Sequence, residues 1–284
     1  MSETADSDGS TVGETVDTGR YLYCLVDLDE GQDTGTVPVD IDGIEGESVF
    51  LITARQAAVG ALVHERQGPF DSTDLTKLRD WLLAHQQVVD AAGDRFGTPL
   101  PVQFDTVLDG DDEAVAAWLD RNSGQVTEAF GELDGCWEYR VTLSWDPTGF
   151  EAEQRTTDAE LSSIDQRLDR SGTGTQFLLE KKYDQRLREL VRQRETALKE
   201  MLVDRLSADA REVTERPVQS DAAASLGLEL DSDAIGQVAL LAPSTAESAL
   251  GSTLDDIADT PGVDVRFTGP WPPYTFAPEI TDDG

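Results

Sequence analysis

The sequence predicts an α+β protein with an N-terminal ferredoxin-like α/β sandwich, a long helical segment and a smaller C-terminal α+β domain. Three observations predict this class. The run from Cys136 to Trp145 alternates large apolar side chains with polar ones, as a half-buried strand does. Segments with helical periodicity lie before and after this run. The length of 284 residues is enough for two modest domains.

The N-terminal elements begin with a strand predicted from Arg20 to Asp27. Both of its faces are apolar, which places it in the middle of a covered sheet. A second strand is expected around Val49 to Thr53. The alanine-rich stretch from Ala54 to Glu65 is predicted to be a short helix that ends near Gly68-Pro69.

Two helices follow in the prediction. Asp71 or Ser72 caps the first, whose apolar face recurs every three or four positions at Leu75, Leu78, Leu82, His85, Val89 and Ala92. A short strand is expected near Val102 to Phe104. Asp111 or Asp112 caps the second helix, whose inward face is Val115, Leu119, Val126, Phe130 and Leu133.

The domain bounds follow from a Pro147/Gly149 break after the alternating strand. We expect an acidic disordered tail at 1–19, the ferredoxin-like domain at 20–146, the helical segment at 147–209 and the C-terminal domain at 210–284. Residues 150–170 are predicted to be helical and polar. A long amphipathic helix follows from about Gln176 to Leu206, with the apolar stripe Leu179, Tyr183, Leu187, Leu190, Ala197 or Leu198, Met201 and Leu202.

The C-terminal domain is predicted to start near Ala210 with a strand at Arg211 to Glu215, followed by a small-residue segment through Leu230. The remaining predicted elements are a strand at Ile235–Ala242, a helix from a Ser244 or Thr245 cap to Asp259, and a strand at Val263–Thr268. The last strand runs into the rigid segment Gly269-Pro270-Trp271-Pro272-Pro273-Tyr274, which we call the aromatic corner. It is either a docking element or an aromatic plug folded back on the sheet.

The charge balance indicates adaptation to high salt. The formal net charge is -35, from 57 acidic and 22 basic residues. At ~1 M salt the Debye length is ~3 Å, so self-repulsion is screened. An acidic surface disfavours nucleic acid and anionic membranes as partners. No run approaches the ~20 apolar residues of a membrane span, and no signal peptide is recognisable, so a cytoplasmic location is expected.

The long helix departs from this acidity. From Glu180 to Glu200 there are seven Lys/Arg and five Asp/Glu residues, a local net charge of 7 - 5 = +2. This balance indicates a helix that pairs with an acidic surface, either that of its own chain or that of a partner.

Residues for catalysis, cofactor binding or metal ligation are not recognisable. His64 is interpreted as a polar residue at a helix end, and His85 as a packed histidine with one hydrogen-bond partner. The segment Ser171–Thr175 lacks the P-loop pattern and is interpreted as a flexible helix entry. Cys24 and Cys136 lack the neighbours that activate a thiol, and neither a disulfide framework nor a metal spacing is present.

Several motifs together resemble one family. Gly269–Phe276 resembles the C-terminal GPWPPYSF signature of the gas vesicle protein F/L family. Tyr21–Cys24 resembles the opening strand of the family, His85–Val89 its His-x-x-Val-Val segment, Leu100–Val107 its LPVRFGTV turn and Ser171–Leu179 its SGxGxxYL helix entry. The length and composition are more similar to the longer L-type members than to the F-type.

This resemblance implies a non-enzymatic, cytoplasmic accessory protein for assembling gas vesicles, with the shell protein and other accessory proteins as partners. It also implies a modified ferredoxin-like N-terminal domain. Gln103 and Asp105 replace the usual Arg and Gly, so the turn at Asp105 must tolerate a Cβ. Rival functions are a ferredoxin-like sensor or enzyme that uses Cys24, His85 or the Gly172–Gly174 turn, and a general halophilic coiled-coil adaptor.

The residues predicted to bind partners come from the apolar stripe of the long helix and from the aromatic corner, where Trp and Tyr are typical interface hot spots. They are Tyr183, Leu187, Leu190, Met201, Trp271 and Tyr274.

Overall fold

A computed structural model describes residues 18–28, 36–170, 172–217 and 233–280. The strands are β1 (Gly19–Asp27), β2 (Thr36–Asp42), β3 (Ser48–Thr53), β4 (Val59–Glu65), β5 (Leu100–Pro101), β6 (Val107–Asp109), β7 (Cys136–Trp145), β8 (Glu212–Arg216), β9 (Ala234–Pro243) and β10 (Val263–Trp271). The α-helices are α1 (Leu75–Phe96), α2 (Asp112–Leu133), α3 (Thr148–Thr157), α4 (Ala159–Leu168), α5 (Thr173–Leu206) and α6 (Glu247–Ala258). Nearly all of the predicted acidic tail, and the segment 218–232 up to β9, lie outside the described residues.

The chain divides into two compact units, Met1–Gly131 with Pro278–Gly284, and Glu132–Ala277. Each unit contains one antiparallel sheet with helices packed against it. The predicted α+β class is therefore confirmed.

The sheet of the first unit has the order β2-β3-β4-β1-β5, and β6 also pairs with β1. As predicted, β1 is central, and its residues Tyr21 to Val26 are buried on both faces. Three strands, β2 to β4, lie between β1 and α1, so the order of elements departs from the βαββαβ order of a plain ferredoxin-like unit.

The predicted helix at Ala54–Glu65 is wrong, because residues 59–65 form strand β4. β4 pairs with β1 from Val59 to Glu65 and with β3 from Gly60 to Val63. Residues Val59 to His64 are all buried, and an apolar run buried on both faces of a sheet shows no period-two signal. The helix propensity of alanine is a weak preference that these two pairings override.

Helix α1 packs against this sheet. Trp81, Val88 and Val89 of α1 share a core with Tyr21 and Tyr23 of β1. Asp74 caps α1 by accepting hydrogen bonds from Thr76 N and Lys77 N, so the predicted cap at Asp71 or Ser72 is three or two residues early. Leu75, assigned to the apolar face of α1, is 53 % exposed.

Helix α2 agrees with its prediction. Its five expected inward residues, Val115, Leu119, Val126, Phe130 and Leu133, are all buried. Asp111 caps it by accepting from Glu113 N and Ala114 N. The short strand predicted near Val102–Phe104 is instead two shorter strands on either side, β5 and β6.

The sheet of the second unit has the order β10-β7-β9-β8. We expected the alternating strand β7 within the N-terminal domain, but β7 pairs with β9 along one edge and β10 along the other, in the second sheet. Its large side chains Tyr139, Val141 and Leu143 share a core with α5 and α6. The helices predicted at 150–170 form α3 and α4, and the long helix is α5, 34 residues long.

Candidate functional site

Helix α5 carries four of the six side chains predicted to bind partners, and their exposure differs along the helix. Leu187 is buried, while Tyr183, Leu190 and Met201 are half-buried. Met201 packs against the core that Leu198, Leu202 and Leu206 of the same helix form with the second sheet. In the free chain the predicted stripe therefore lies largely on the inward side of α5.

Arg186 joins α5 to the start of α4. Its Nη2 lies 2.9 Å from Asp158 Oδ2, and its Nε lies 3.5 Å from Glu160 Oε2. Asp158 also caps α4 by accepting from Leu161 N at 2.8 Å. The hydrogen bond from Arg186 and those from the backbone of α4 lower the pKa of Asp158. At least one basic side chain of α5, Arg186, therefore pairs with carboxylates of its own chain.

The opposite side of α5 is open to solvent. Phe177 is 57 % exposed and Leu178 is 65 % exposed. Lys181 lies with its Nζ 4.8 Å from the centre of the Phe177 ring. Lys181, Arg188 and Arg192 are all exposed. Phe177 and Leu178 were not among the predicted site residues. The available signal was their position outside the apolar stripe on a helical wheel.

The aromatic corner folds back onto β7. Glu138 of β7 is fully buried, and its Oε2 accepts a hydrogen bond from Thr275 N at 2.7 Å. Its Oε1 accepts from Arg140 Nε at 2.7 Å and lies 3.7 Å from Arg216 Nη1. Trp271 pairs in register with Glu138 at the end of β10. One buried carboxylate thus fastens the corner to the second sheet.

Close packing also fixes the first residue of the corner. Gly269 has a φ of 134°, which side-chain-bearing residues rarely adopt. A Cβ at this position would lie 2.8 Å from Tyr139 Cδ1 and 2.9 Å from Glu138 O. Pro272 and Pro273 are buried, while Trp271 and Tyr274 are half-buried. This geometry matches the plug interpretation and leaves Trp271 and Tyr274 partly exposed.

The two histidines are both buried and paired with tyrosines. Tyr21 Oη lies 2.8 Å from His85 Nδ1, and Tyr23 Oη lies 2.7 Å from His64 Nδ1. His85 is thus a packed histidine with a side-chain partner, as predicted. The prediction that His64 ends a helix is wrong, because His64 lies in β4.

Each of these two hydroxyls also accepts a backbone hydrogen bond. Tyr21 Oη accepts from Asp105 N, and Tyr23 Oη accepts from Ile44 N. In the tautomer that carries the imidazole proton on Nε2, each hydroxyl donates its own proton to Nδ1. Burial lowers the pKa of both histidines to about 4.

The thiols are poor nucleophiles in this fold. Cys24 is buried in β1, and burial raises its thiol pKa well above the usual range. Burial also raises the pKa of Cys136. Across the described residues, no three His, Cys, Asp or Glu side chains come together as metal ligands would. None of the helices in the described part of the chain is long and apolar enough to cross a membrane.

Asp105 adopts the left-handed conformation that its position requires, with φ 72°. Its carboxylate accepts from Phe70 N at 2.7 Å, and its own N–H donates to Tyr21 Oη at 3.1 Å. Asp is among the residues that tolerate this region best. The turn therefore accommodates a Cβ, as the sequence required.

Residues 19–278 match the family model described as gas vesicle synthesis protein GvpL/GvpF. The chain belongs to this family. It is 45 % identical to gas vesicle protein L2 of Halobacterium salinarum, over 93 % of this chain and 93 % of that protein. It is 36 % identical to gas vesicle protein L of Haloferax mediterranei, over 98 % of this chain and 93 % of that protein.

Two solved structures of GvpL/GvpF family members share the fold. The crystal structure of the gas vesicle protein GvpF from Anabaena matches with a TM-score of 0.69 at 21 % identity, covering 92 % of this chain and 98 % of that one. GvpF from Microcystis aeruginosa matches with a TM-score of 0.62 at 19 % identity, covering 92 % and 99 %. The GvpL/GvpF family therefore retains this α+β architecture across low sequence identity.

Proposed function

We propose that this chain is a non-enzymatic accessory protein of gas vesicle assembly that binds the shell protein and other accessory proteins in the cytoplasm or on the vesicle. Membership of the GvpL/GvpF family over residues 19–278 carries this proposal. The names of its halophilic relatives, gas vesicle proteins L, L1 and L2, support it.

The chemistry of the buried groups supports binding over catalysis. Cys24 lies out of reach of a substrate, and burial keeps its thiol protonated. His64 and His85 are enclosed and are neutral at physiological pH, since their pKa values are about 4. The thiol and imidazole groups that a sensor or enzyme would use are thus buried in the core of the first unit.

Deletion in a vesicle-forming haloarchaeon tests the proposal. We expect cells without this protein to sink and to lack normal vesicles in electron micrographs, and expression of the intact chain to restore both. Normal vesicles in the deletion strain would refute the proposal.

We further propose that the inward stripe of α5 and the aromatic corner contribute to partner binding through Tyr183, Leu187, Leu190, Met201, Trp271 and Tyr274. The accessible parts of Trp271 and Tyr274 are the most direct to test. The double change Trp271→Ala/Tyr274→Ala should weaken co-purification with gas vesicle proteins. A folded double variant with unchanged co-purification would show that the corner is only structural.

A further inference from the structure

The outer face of the first half of α5 combines exposed apolar and cationic side chains. At about 100° per residue, six residues between Phe177 and Arg192 fall within an arc of about 100° on the helix surface. They are Phe177, Leu178, Lys181, Gln185, Arg188 and Arg192, all exposed, and we call them the outer face of α5. This face runs for about 22 Å along the helix.

The outer face of α5 contains no carboxylate, although 57 of the 284 residues are acidic. Asp184 and Glu189 lie at its two edges. Glu189 Oε2 is 3.6 Å from Arg186 Nη1 and so faces towards the contact with α4. Among the described residues, no ion pair engages Lys181, Arg188 or Arg192. Arg186, which pairs with carboxylates of its own chain, and the three open cations of the outer face therefore lie on different sides of α5.

The two large apolar side chains define one end of this face. Phe177 and Leu178 are the two most exposed large apolar residues in the described structure, at 57 % and 65 %. Adjacent exposed apolar residues bordered by charges are typical of interaction surfaces. The aliphatic stem of Lys181 extends the apolar surface towards the next turn, since its Nζ lies over the Phe177 ring.

We infer that the outer face of α5 docks an acidic amphipathic helix of a partner protein, with apolar side chains against Phe177 and Leu178 and carboxylates against Lys181, Arg188 and Arg192. Charge complementarity selects this occupant, because carboxylates of an acidic partner can pair with the exposed cations of this carboxylate-free face. The inference rests on the proposed function only in taking the ligand to be a protein.

High salt shapes how this docking works. At ~1 M salt the screening length is ~3 Å, so only carboxylates in direct contact with the three cations contribute. The apolar contact at Phe177 and Leu178 persists or strengthens as salt rises. The cations then determine which partner binds and in which register, and the apolar pair supplies most of the affinity.

The test uses the full chain and labelled helical peptides. The probe peptide has leucines on one face and glutamates beside them, and two matched peptides carry lysine for glutamate or serine for leucine. Fluorescence anisotropy in 0.5, 1 and 3 M KCl measures Kd. We expect the Leu/Glu peptide to bind at least tenfold more tightly than either matched peptide.

Variants locate the site. K181E/R188E/R192E should weaken binding at least tenfold in 0.5 M KCl, and F177S/L178S at least tenfold in 3 M KCl. Because all five side chains are exposed, circular dichroism and Tm should be unchanged. The controls are L75S/L83S, which alters two other exposed leucines, 53 % and 50 % exposed, and R79E; both should bind like the parent chain.

Several results would overturn the inference. They are no binding of the Leu/Glu peptide, equal binding of the lysine peptide, equal losses in the control variants, or tighter binding of a DNA duplex or an anionic vesicle through the same cations. Since the readout is peptide affinity, these failures are distinct from normal vesicles in a deletion strain, which would refute the proposed function instead.

Discussion

The attachment of the aromatic corner to Glu138 gives a stability prediction that can be worked from the structure. In Glu138→Ala the N–H of Thr275 and the Nε of Arg140 both lose a carboxylate partner at 2.7 Å. Hydrogen bonds to charged groups contribute ~1.5–3 kcal/mol each, and breaking a buried ion pair costs ~3–5 kcal/mol.

Partial exposure of the cations reduces this loss. The Arg140 and Arg216 side chains are 39 % and 37 % exposed, so water can solvate them once the carboxylate is gone. We therefore expect Glu138→Ala to lower the free energy of unfolding by about 3 kcal/mol, near the lower limit for a buried pair. Glu138→Gln keeps an acceptor for Thr275 N–H but loses the charge and places an NH2 group opposite Arg140 Nε, so we expect a smaller loss of about 1–2 kcal/mol.

Urea unfolding at a fixed ~3 M KCl, followed by tryptophan fluorescence, measures both values by linear extrapolation. Glu215→Ala serves as the matched control, because Glu215 is exposed on β8 of the same sheet. Its free energy of unfolding should stay within about 0.5 kcal/mol of the parent value. If Glu138→Ala also stayed within that range, Glu138 would not hold the corner, and the reasoning would be refuted.

Three further predictions concern other buried features. Burial lowers the pKa of His64 and His85 to about 4, so below pH 6.5 the unfolded chain binds more protons than the folded chain. The free energy of unfolding should be highest above pH 6.5 and should fall towards pH 4 by up to about 1.4 kcal/mol per pH unit per histidine. Urea titrations at pH 6.5 and 5 should show a smaller fall in the double variant His64→Gln/His85→Gln. An equal fall in the parent chain and the variant would contradict this assignment. Asp105→Ala removes the acceptor for Phe70 N while keeping φ at 72°, so it should lower the free energy of unfolding by about 2 kcal/mol. Asp105→Gly also removes the acceptor but relieves the strained φ, so its loss should be smaller. The opposite order in thermal unfolding would exclude this account. Gly269→Ala should destabilise the chain by about 2–4 kcal/mol, because its Cβ would lie within 3 Å of Tyr139 and Glu138. As a control, Gly251→Ala lies in open space on α6 and should stabilise the chain by about 0.5–1 kcal/mol. Similar Tm shifts for the two variants would argue against the close packing at Gly269.

Elements with a periodic residue pattern could be predicted from the sequence. β7 alternates apolar and polar residues, and α2 repeats its apolar residues with helical spacing. Both elements form as expected, although Glu138 and Thr142 on the polar side of β7 are buried as well. β4 could not be predicted, because burial on both faces removes the alternation that marks a strand. The partner strands of β7 could not be predicted from the sequence either, since β7 pairs with β9, which lies about 100 positions later in the chain.

The outer face of α5 illustrates a different limit. Sequence reasoning assigns apolar residues of a helix to its inward side, yet Phe177 and Leu178 face solvent. The reason lies in the length of the helix. Around the helix axis, the direction of the buried residues Leu179, Leu187 and Leu206 rotates by about half a turn over 27 residues. One apolar stripe on a helical wheel therefore does not describe the buried face of α5 along its whole length.

This rotation matches a change of neighbours along α5. Its first half packs against α3 and α4, and its second half packs against the core of the second sheet with Leu198 and Leu202. The solvent-exposed face of α5 therefore keeps one direction only within each half of the helix. The carboxylate-free face ends at Arg192, shortly before the inward direction moves towards the sheet, and Glu195 then falls on the same side. Of the seven Lys/Arg residues between Glu180 and Glu200, Arg186 thus binds carboxylates of its own chain, and the three on the outer face of α5 are left for a partner.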